Sequence, residues 1–228
     1  MRKCDDRSPH TYINADGKEV PSVTHTLAIL KKKQTLVWAN FLGFKRISVE
    51  KFINHKAMIG SLLHHKIECF FSGDKYIPHP SLGVEDEVNH LFKNFMAWYE
   101  EAKPKAIFQE KQIVGKNYGG TIDLLCNMFD NKIVLLDFKT SKTIHATQFM
   151  QLGGYLTLFK EVMPEIYKQI DLCMIVSITP AKVQTVVKSK KEMKKYMDAF
   201  TNNYILYDCY NEILTNEWND SLKDVSIL

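Results

Sequence analysis

The hydrophobic period changes once along the chain, near Ala106, and that change sets the class of fold. Before it, apolar residues recur every three or four positions, as along one side of a helix. After it, they alternate or gather in strand-length clusters. Residues 11–13 and 18–20 flank the turn-forming Asn14-Ala-Asp-Gly17, which predicts a small hairpin. Pro21-Ser-Val-Thr24 opens a helical stretch to about residue 44, with Thr24 as its N-cap. Helices are predicted over 49–72, ended by Gly73-Asp74, and over 84–102, ended by Pro104. The second buries Val88, Leu91, Phe92, Phe95 and Trp98 at helical spacing. Beyond Ala106, strands are predicted over 107–114, 121–128 and 132–139, followed by a helix over 145–162 that stops near Pro164. Two more strands, 170–178 and 183–188, precede a last helix. That helix opens on the capping pattern Ser189-Lys-Lys-Glu192 and runs to about residue 218, with Met193, Met197, Phe200, Tyr204 and Tyr207 along one side.

This order predicts a mixed α/β protein. It has a three-stranded meander, a helix and two further strands, preceded by a helical portion. No repeat or linker divides it, so 1–228 reads as one domain, with 1–105 mainly helical and 106–228 the α/β core. The 45% hydrophobic content is enough for a sizeable core, and 25% charged residues argue against wholesale disorder. Thirty Lys+Arg against 26 Asp+Glu give +4, which permits nucleic-acid binding without arguing for it. The five cysteines (Cys4, Cys69, Cys126, Cys173, Cys209) are an odd, scattered set with no CxxC pair. That excludes a disulfide framework or a cysteine-only zinc site and fits thiols in a reducing compartment. The opening Met1-Arg-Lys-Cys-Asp-Asp-Arg lacks the apolar stretch of a signal peptide, and no apolar run has membrane-spanning length. The expectation is a soluble, cytoplasmic protein (host cytoplasm if viral) with no membrane partner.

Chemistry concentrates in Gly120-Thr-Ile-Asp123 and Leu135-Leu-Asp137-Phe-Lys139-Thr-Ser-Lys142. Asp137 and Lys139 are two apart on a strand and share a face, while Leu136 and Phe138 point the other way. Asp-x-Lys is common on solvated strand faces. Here, though, it interrupts the apolar run Ile133-Val-Leu-Leu, where unpartnered charges are costly to bury. Carboxylates from adjacent strands can hold Mg²⁺ or Mn²⁺, and the metal polarises a phosphate and acidifies a bound water. A lysine beside them can orient that water and offset charge growing on phosphate oxygens.

Strand register tests this reading. A two-residue turn at 130–131 would put Asp123 opposite residue 138, on the wrong face for Asp137. An odd-numbered loop or one β-bulge restores coincidence, so the hairpin should contain such an irregularity.

With these motifs in hand, the sequence resembles the PD-(D/E)XK nuclease superfamily, in particular its RecB-like exonuclease branch. That branch includes phage exonucleases and the mitochondrial genome maintenance exonuclease. Six ordered matches carry the likeness. Gly60-Ser-Leu-Leu-His64-His-Lys-Ile-Glu68 is similar to a G-x-x-x-H-x-x-x-E helix, and Glu110 to the acidic residue that precedes a G-T-x-D strand. Gly120-Thr-Ile-Asp123 and Asp137-Phe-Lys139 resemble the two central motifs, with Ile122 in place of the nominal proline. Gln151-Leu-Gly-Gly-Tyr155 resembles a Q-x-x-x-Y helix, and Pro21-Ser-Val-Thr24 an opening associated with phosphate contact.

The resemblance implies a restriction-endonuclease-like core and a Mg²⁺- or Mn²⁺-dependent deoxyribonuclease. The expected activity is exonucleolytic, on single-stranded DNA ends, in replication, recombination or genome processing. DNA would be the partner, together with replication or recombination proteins. It further implies metal ligation by Asp123, Asp137, the Phe138 carbonyl and His64, with Lys139 positioning the attacking water. Glu110 would contact a second metal or water, Gln151 and Tyr155 would support the lysine or hold the scissile strand, and Thr140 and Ser141 would donate to phosphate. Plainer readings stand beside these. His64 and Glu68 also form an i,i+4 helix pair, and His65 competes with His64 as a ligand. Gln151 and Tyr155 also read as helix packing, and Ser22 and Thr24 as helix caps rather than phosphate contacts. The basic clusters Lys31-Lys-Lys33 and Lys190-Lys191 with Lys194-Lys195 read as solvated faces or as backbone-tracking patches. A structure-specific endonuclease on the same site, or a non-catalytic binding module, are the competing functions. An iron–sulfur cluster is not expected, because only Cys209 lies near the end where a related branch groups its cysteines.

Overall fold

A computed structural model describes residues 11–30 and 33–225. Cys4, the opening Met1–Arg7 segment and Lys31-Lys32 lie outside the described residues. The first hairpin pairs β1 (Thr11–Ile13) with β2 (Glu19–Pro21) around the Asn14–Gly17 turn. Asn14 is buried, and its Oδ1 accepts from the Asp16 and Lys18 amides, which closes the turn.

The stretch after Pro21 is broken rather than continuous. Helix α1 (Val23–Thr26) passes into a 3₁₀ turn, and α2 (Lys33–Phe44) follows as a separate helix. The cap is Ser22, not Thr24. Ser22 has extended backbone and its Oγ accepts from the His25 amide at 3.0 Å, whereas Thr24 already lies inside the first turn. Helix α3 (Val49–Ser72) ends on Gly73 at φ 77°, a left-handed conformation that glycine adopts without a Cβ clash. Helix α4 (Leu82–Ala102) buries Val88, Leu91 and Phe95 as the spacing predicts, whereas Phe92 and Trp98 are only half-buried against that layer.

The second half is one five-stranded mixed sheet in the order β3 (Lys105–Val114), β4 (Gly119–Met128), β5 (Lys132–Lys139), β6 (Ile170–Ile178), β7 (Val183–Ser189). Only the β5–β6 pair is parallel, joined through α5 (Ala146–Val162) and α6 (Pro164–Gln169). The short α6 escapes the sequence reading. Pro164 ends α5 but also occupies the first turn of α6, where its missing N–H costs nothing. Helix α7 (Lys190–Val225) begins with the expected reciprocal cap: Ser189 N–H donates to Glu192 Oε2 at 2.8 Å, and Glu192 N–H to Ser189 Oγ at 3.3 Å.

Strand alternation sorts the core into two layers. Val134, Leu136 and Phe138 of β5 face Leu63, Ile67 and Phe95 of α3 and α4. Leu135 of the same strand faces Leu152, Leu156, Met193 and Phe200 of α5 and α7. The result is a helix–sheet–helix sandwich, a mixed α/β fold consistent with a restriction-endonuclease-like core. The two helices of the second layer meet closely at Gly153, where a Cβ would lie 2.7 Å from the Tyr196 carbonyl oxygen. No helix among the described residues is long and apolar enough to cross a membrane.

One buried charge ties the loop before α4 to the body. Glu85 accepts from the Lys66 ammonium at 3.1 Å, the Tyr76 hydroxyl at 3.0 Å and the His79 amide at 2.9 Å. Burial works to raise its pKa, but these three donors outweigh burial and hold it below the ordinary glutamate value. A depressed carboxylate stabilises the fold above its ordinary pKa and loses that contribution as pH falls through the folded value. Glu85→Gln is therefore expected to cost about 1–3 kcal/mol at neutral pH. The gap from the parent should close on acidification, and urea titrations across pH would show it. An equal deficit in acid and at neutrality would contradict the ionic origin.

Candidate metal centre

The site forms where the β4–β5 ladder stops. The two strands are joined by the three-residue loop Phe129-Asp-Asn131, and all three residues have positive φ (49°, 54° and 72°). The odd length pairs Met128 with Lys132 and Leu124 with Leu136, so Asp123 and Asp137 occupy facing positions. The irregularity that the register reading required is this loop. Beyond Leu124 the main-chain ladder gives out and a side chain replaces it: Asp123 Oδ2 accepts the Phe138 amide at 2.7 Å.

The other oxygen of Asp123 lies 3.5 Å from His64 Nδ1, reaching across from α3. His65 turns away to Glu68, at 3.3 Å, so the two adjacent histidines divide cleanly between the site and an ordinary helix pair. The His64 ring stands edge-on to Phe138 with centroids 6.3 Å apart, which fixes its plane. Gln109 Nε2 donates to the Glu68 carbonyl at 2.9 Å and anchors α3 to β3.

Glu110 arrives through backbone strain. It sits mid-strand at φ 44°, between Gln109 paired with Leu124 and Lys111 paired with Ile122. A non-glycine residue there costs on the order of 1 kcal/mol and persists only where its surroundings hold it. His64, Glu110 and Asp123 each offer a ligand atom within 4.8 Å of the others.

Asp137 has the most unusual surroundings. It is 1% exposed, and Lys139 Nζ stands 2.5 Å from its Oδ2. Yet neither carboxylate oxygen has a hydrogen bond of acceptable geometry among the described residues. Burial raises its pKa to about 6, with Lys139 pulling the other way and Asp123 adding to the rise. Asp123 is opposite in sense: burial would raise it, but His64, Lys139 and the Phe138 amide hold it below the ordinary aspartate value. Burial would lower Lys139 and His64, but the neighbouring aspartates prevail, Asp137 and Asp123 for the lysine and Asp123 for the histidine, and both bases are raised. The clustered His64, Glu110 and Asp123 are a donor set that fits a small divalent cation, while Asp137, which faces Asp123 across the strands, is not part of that cluster.

The second layer supplies the remaining residues. Gly120 leaves room for Tyr155 of α5, since a Cβ there would lie 2.5 Å from the ring. Gln151 Nε2 donates to the Tyr155 hydroxyl at 2.9 Å. Burial, then Asp137 and Asp123, push that phenol well above its ordinary pKa. Ser22 bridges by its backbone to Gly119 and contacts Thr24 Oγ1 at 3.1 Å. Thr24 then shares a cavity of about 300 Å³ with Gln148 and Gln151.

Residues 140–143 are held in place by polar contacts. Ser141 Oγ donates to the Thr143 carbonyl at 3.0 Å and accepts from Gln148 Nε2 at 3.0 Å, while Ser177 Oγ donates to the Ser141 carbonyl. Gln148 and Ser177 are buried polar residues that the sequence reading missed. The signal for Gln148 was its place three residues after His145, whose amide donates to Gln148 Oε1. Thr140 lies beside Gly60, its Oγ1 3.5 Å from where a Cβ would stand.

No family model matches the chain, and no curated protein matches it. Solved structures resemble it distantly. SSO0001 aligns at 17% identity and a TM-score of 0.32, over 56% of this chain and 61% of that one. An alkaline exonuclease from Laribacter hongkongensis (LHK-Exo) aligns at 10% identity and a TM-score of 0.33, over 87% of this chain and 94% of that one. The same exonuclease in complex with dAMP gives 11% identity and a TM-score of 0.34, over 76% and 87%.

Proposed function

We propose that this protein is a divalent-metal-dependent nuclease of the PD-(D/E)XK superfamily, RecB-like branch, that hydrolyses DNA phosphodiester bonds from single-stranded ends. The observation that carries the reading is Asp137: a buried carboxylate that faces Asp123, with one oxygen ion-paired to Lys139 and the other without a partner among the described residues. A binding module has no use for paired carboxylates where phosphates must approach. The exonuclease branch rests on the six ordered motifs, from Pro21-Ser-Val-Thr24 to Gln151-Leu-Gly-Gly-Tyr155.

Asp123, Asp137, His64 and the Phe138 carbonyl would hold Mg²⁺ or Mn²⁺, with Glu110 at a second metal or a water. The metal, when bound, supplies polarisation of the scissile phosphate and a more acidic water. Lys139, kept cationic by both aspartates, orients the attacking water and offsets charge growing on the phosphate oxygens. Tyr155 stays protonated and therefore donates a hydrogen bond rather than taking a proton, with Gln151 fixing its oxygen. Thr140 would donate its hydroxyl to phosphate, with Ser141 shaping its loop, and Thr24 would border the strand's approach beside Gln151, with Ser22 capping its helix.

A time course on end-labelled single- and double-stranded DNA tests this. Degradation is expected with Mg²⁺ or Mn²⁺, with loss of activity in EDTA and resistance of covalently closed single-stranded circles. Full activity in excess EDTA would remove the metal from the reading, and rapid cutting of circles would replace exonuclease with endonuclease.

A further inference from the structure

Helix α7 changes its apolar side part-way along. Over its first four turns Met193, Phe200 and Asn203 are buried against the body, and Asn203 Nδ2 donates to the Thr26 carbonyl at 2.9 Å. The outward side there is polar and exposed, carrying Lys191, Lys195, Asp198 and Asn202. After Tyr204 the outward side turns apolar. Ile205 is 54% exposed, Leu206 58%, Tyr210 50% and Ile213 53%, with the exposed thiol of Cys209 among them. At 3.6 residues per turn Ile205, Leu206, Cys209 and Ile213 project roughly 120–180° away from the line through Met193, Phe200 and Tyr207, with Tyr210 at the edge of this side, roughly 80° away. A solvated helix would place such residues inward, so this stripe requires a partner.

Charge along the same helix selects the partner. Lys190, Lys191, Lys194 and Lys195 crowd its start with Glu192. The sequence from 208 to 220 carries Asp208, Glu212, Glu217 and Asp220 and no lysine or arginine. A second α7 laid antiparallel across Leu206 sets each basic end against the partner's acidic segment. A parallel pair would oppose like charges throughout. Such a two-fold contact is self-complementary, each copy giving and receiving the same patch.

We propose that α7 mediates self-association through an antiparallel contact between two copies, centred on Ile205, Leu206, Cys209, Tyr210 and Ile213. The contact is independent of the metal centre.

Sedimentation velocity across a wide concentration range tests this. The parent is expected to sediment as a dimer, and L206K/I213K as a monomer with unchanged circular dichroism, since both side chains are exposed in one copy. K194E/K195E should weaken the dimer at least about tenfold through like-charge repulsion, and adding E212K/E217K should restore it. A parent that stays monomeric throughout overturns the proposal. So does a dimer indifferent to L206K/I213K, and so does a charge swap that fails to rescue.

Discussion

Lys139→Met is expected to lower the rate of DNA hydrolysis by about 10²–10⁴-fold, the usual worth of a positioned group that handles the attacking water. The substitution keeps most of the side-chain volume and removes only the ammonium. That ammonium stands 2.5 Å from Asp137 and is the largest influence holding the Asp137 pKa down against burial. Hydrolysis of end-labelled DNA by purified parent and variant with Mn²⁺, measured across pH, reads the loss. Unchanged thermal unfolding would show that the loss is chemical. A variant within a few-fold of the parent at every pH would exclude Lys139 from the reaction.

The second large effect is on the fold. Phe200→Ala is expected to destabilise the protein by about 3–5 kcal/mol, through lost apolar transfer and the cavity left behind. Phe200 is wholly buried, lies 5.0 Å from the Tyr118 ring between centroids, and packs where Gly154 leaves no room for a Cβ. Its neighbours are rigid: a helix backbone on one side and a strand end on the other. Relaxation into the void should therefore be incomplete. Chemical denaturation gives the figure directly, and a loss below about 1 kcal/mol would mean that α7 is not held by this contact.

Much of this architecture was legible because alternation and helical spacing are local. The C-terminal ends of α3 and α4 and the start of β5 follow from punctuation by Gly73, Pro104 and the 129–131 turn residues. Asp137 and Lys139 stood out because charge inside an apolar run has few explanations. Other features depended on geometry that no local pattern encodes. Ser22 caps α1 because its backbone is already extended by the bridge to Gly119, 97 positions away in sequence. Glu110 reaches the site through a left-handed backbone angle in a strand, where β propensity argues against one. The aromatic line of α7 concealed the outward stripe, because a helix rich in Tyr, Ile and Leu reads as amphipathic in either direction until its docking side is known.

The division of labour between His64 and the carboxylates has a consequence for the order of assembly. Glu110, Asp123 and Asp137 come from consecutive strands joined by short turns, contacts that form early because little chain must be closed. His64 belongs to a helix outside that meander and joins only when α3 docks across Phe138 and Gln109. If the proposed site is right, a newly made chain would carry its acidic members before it has the imidazole, and chemistry would wait for the long-range docking of α3.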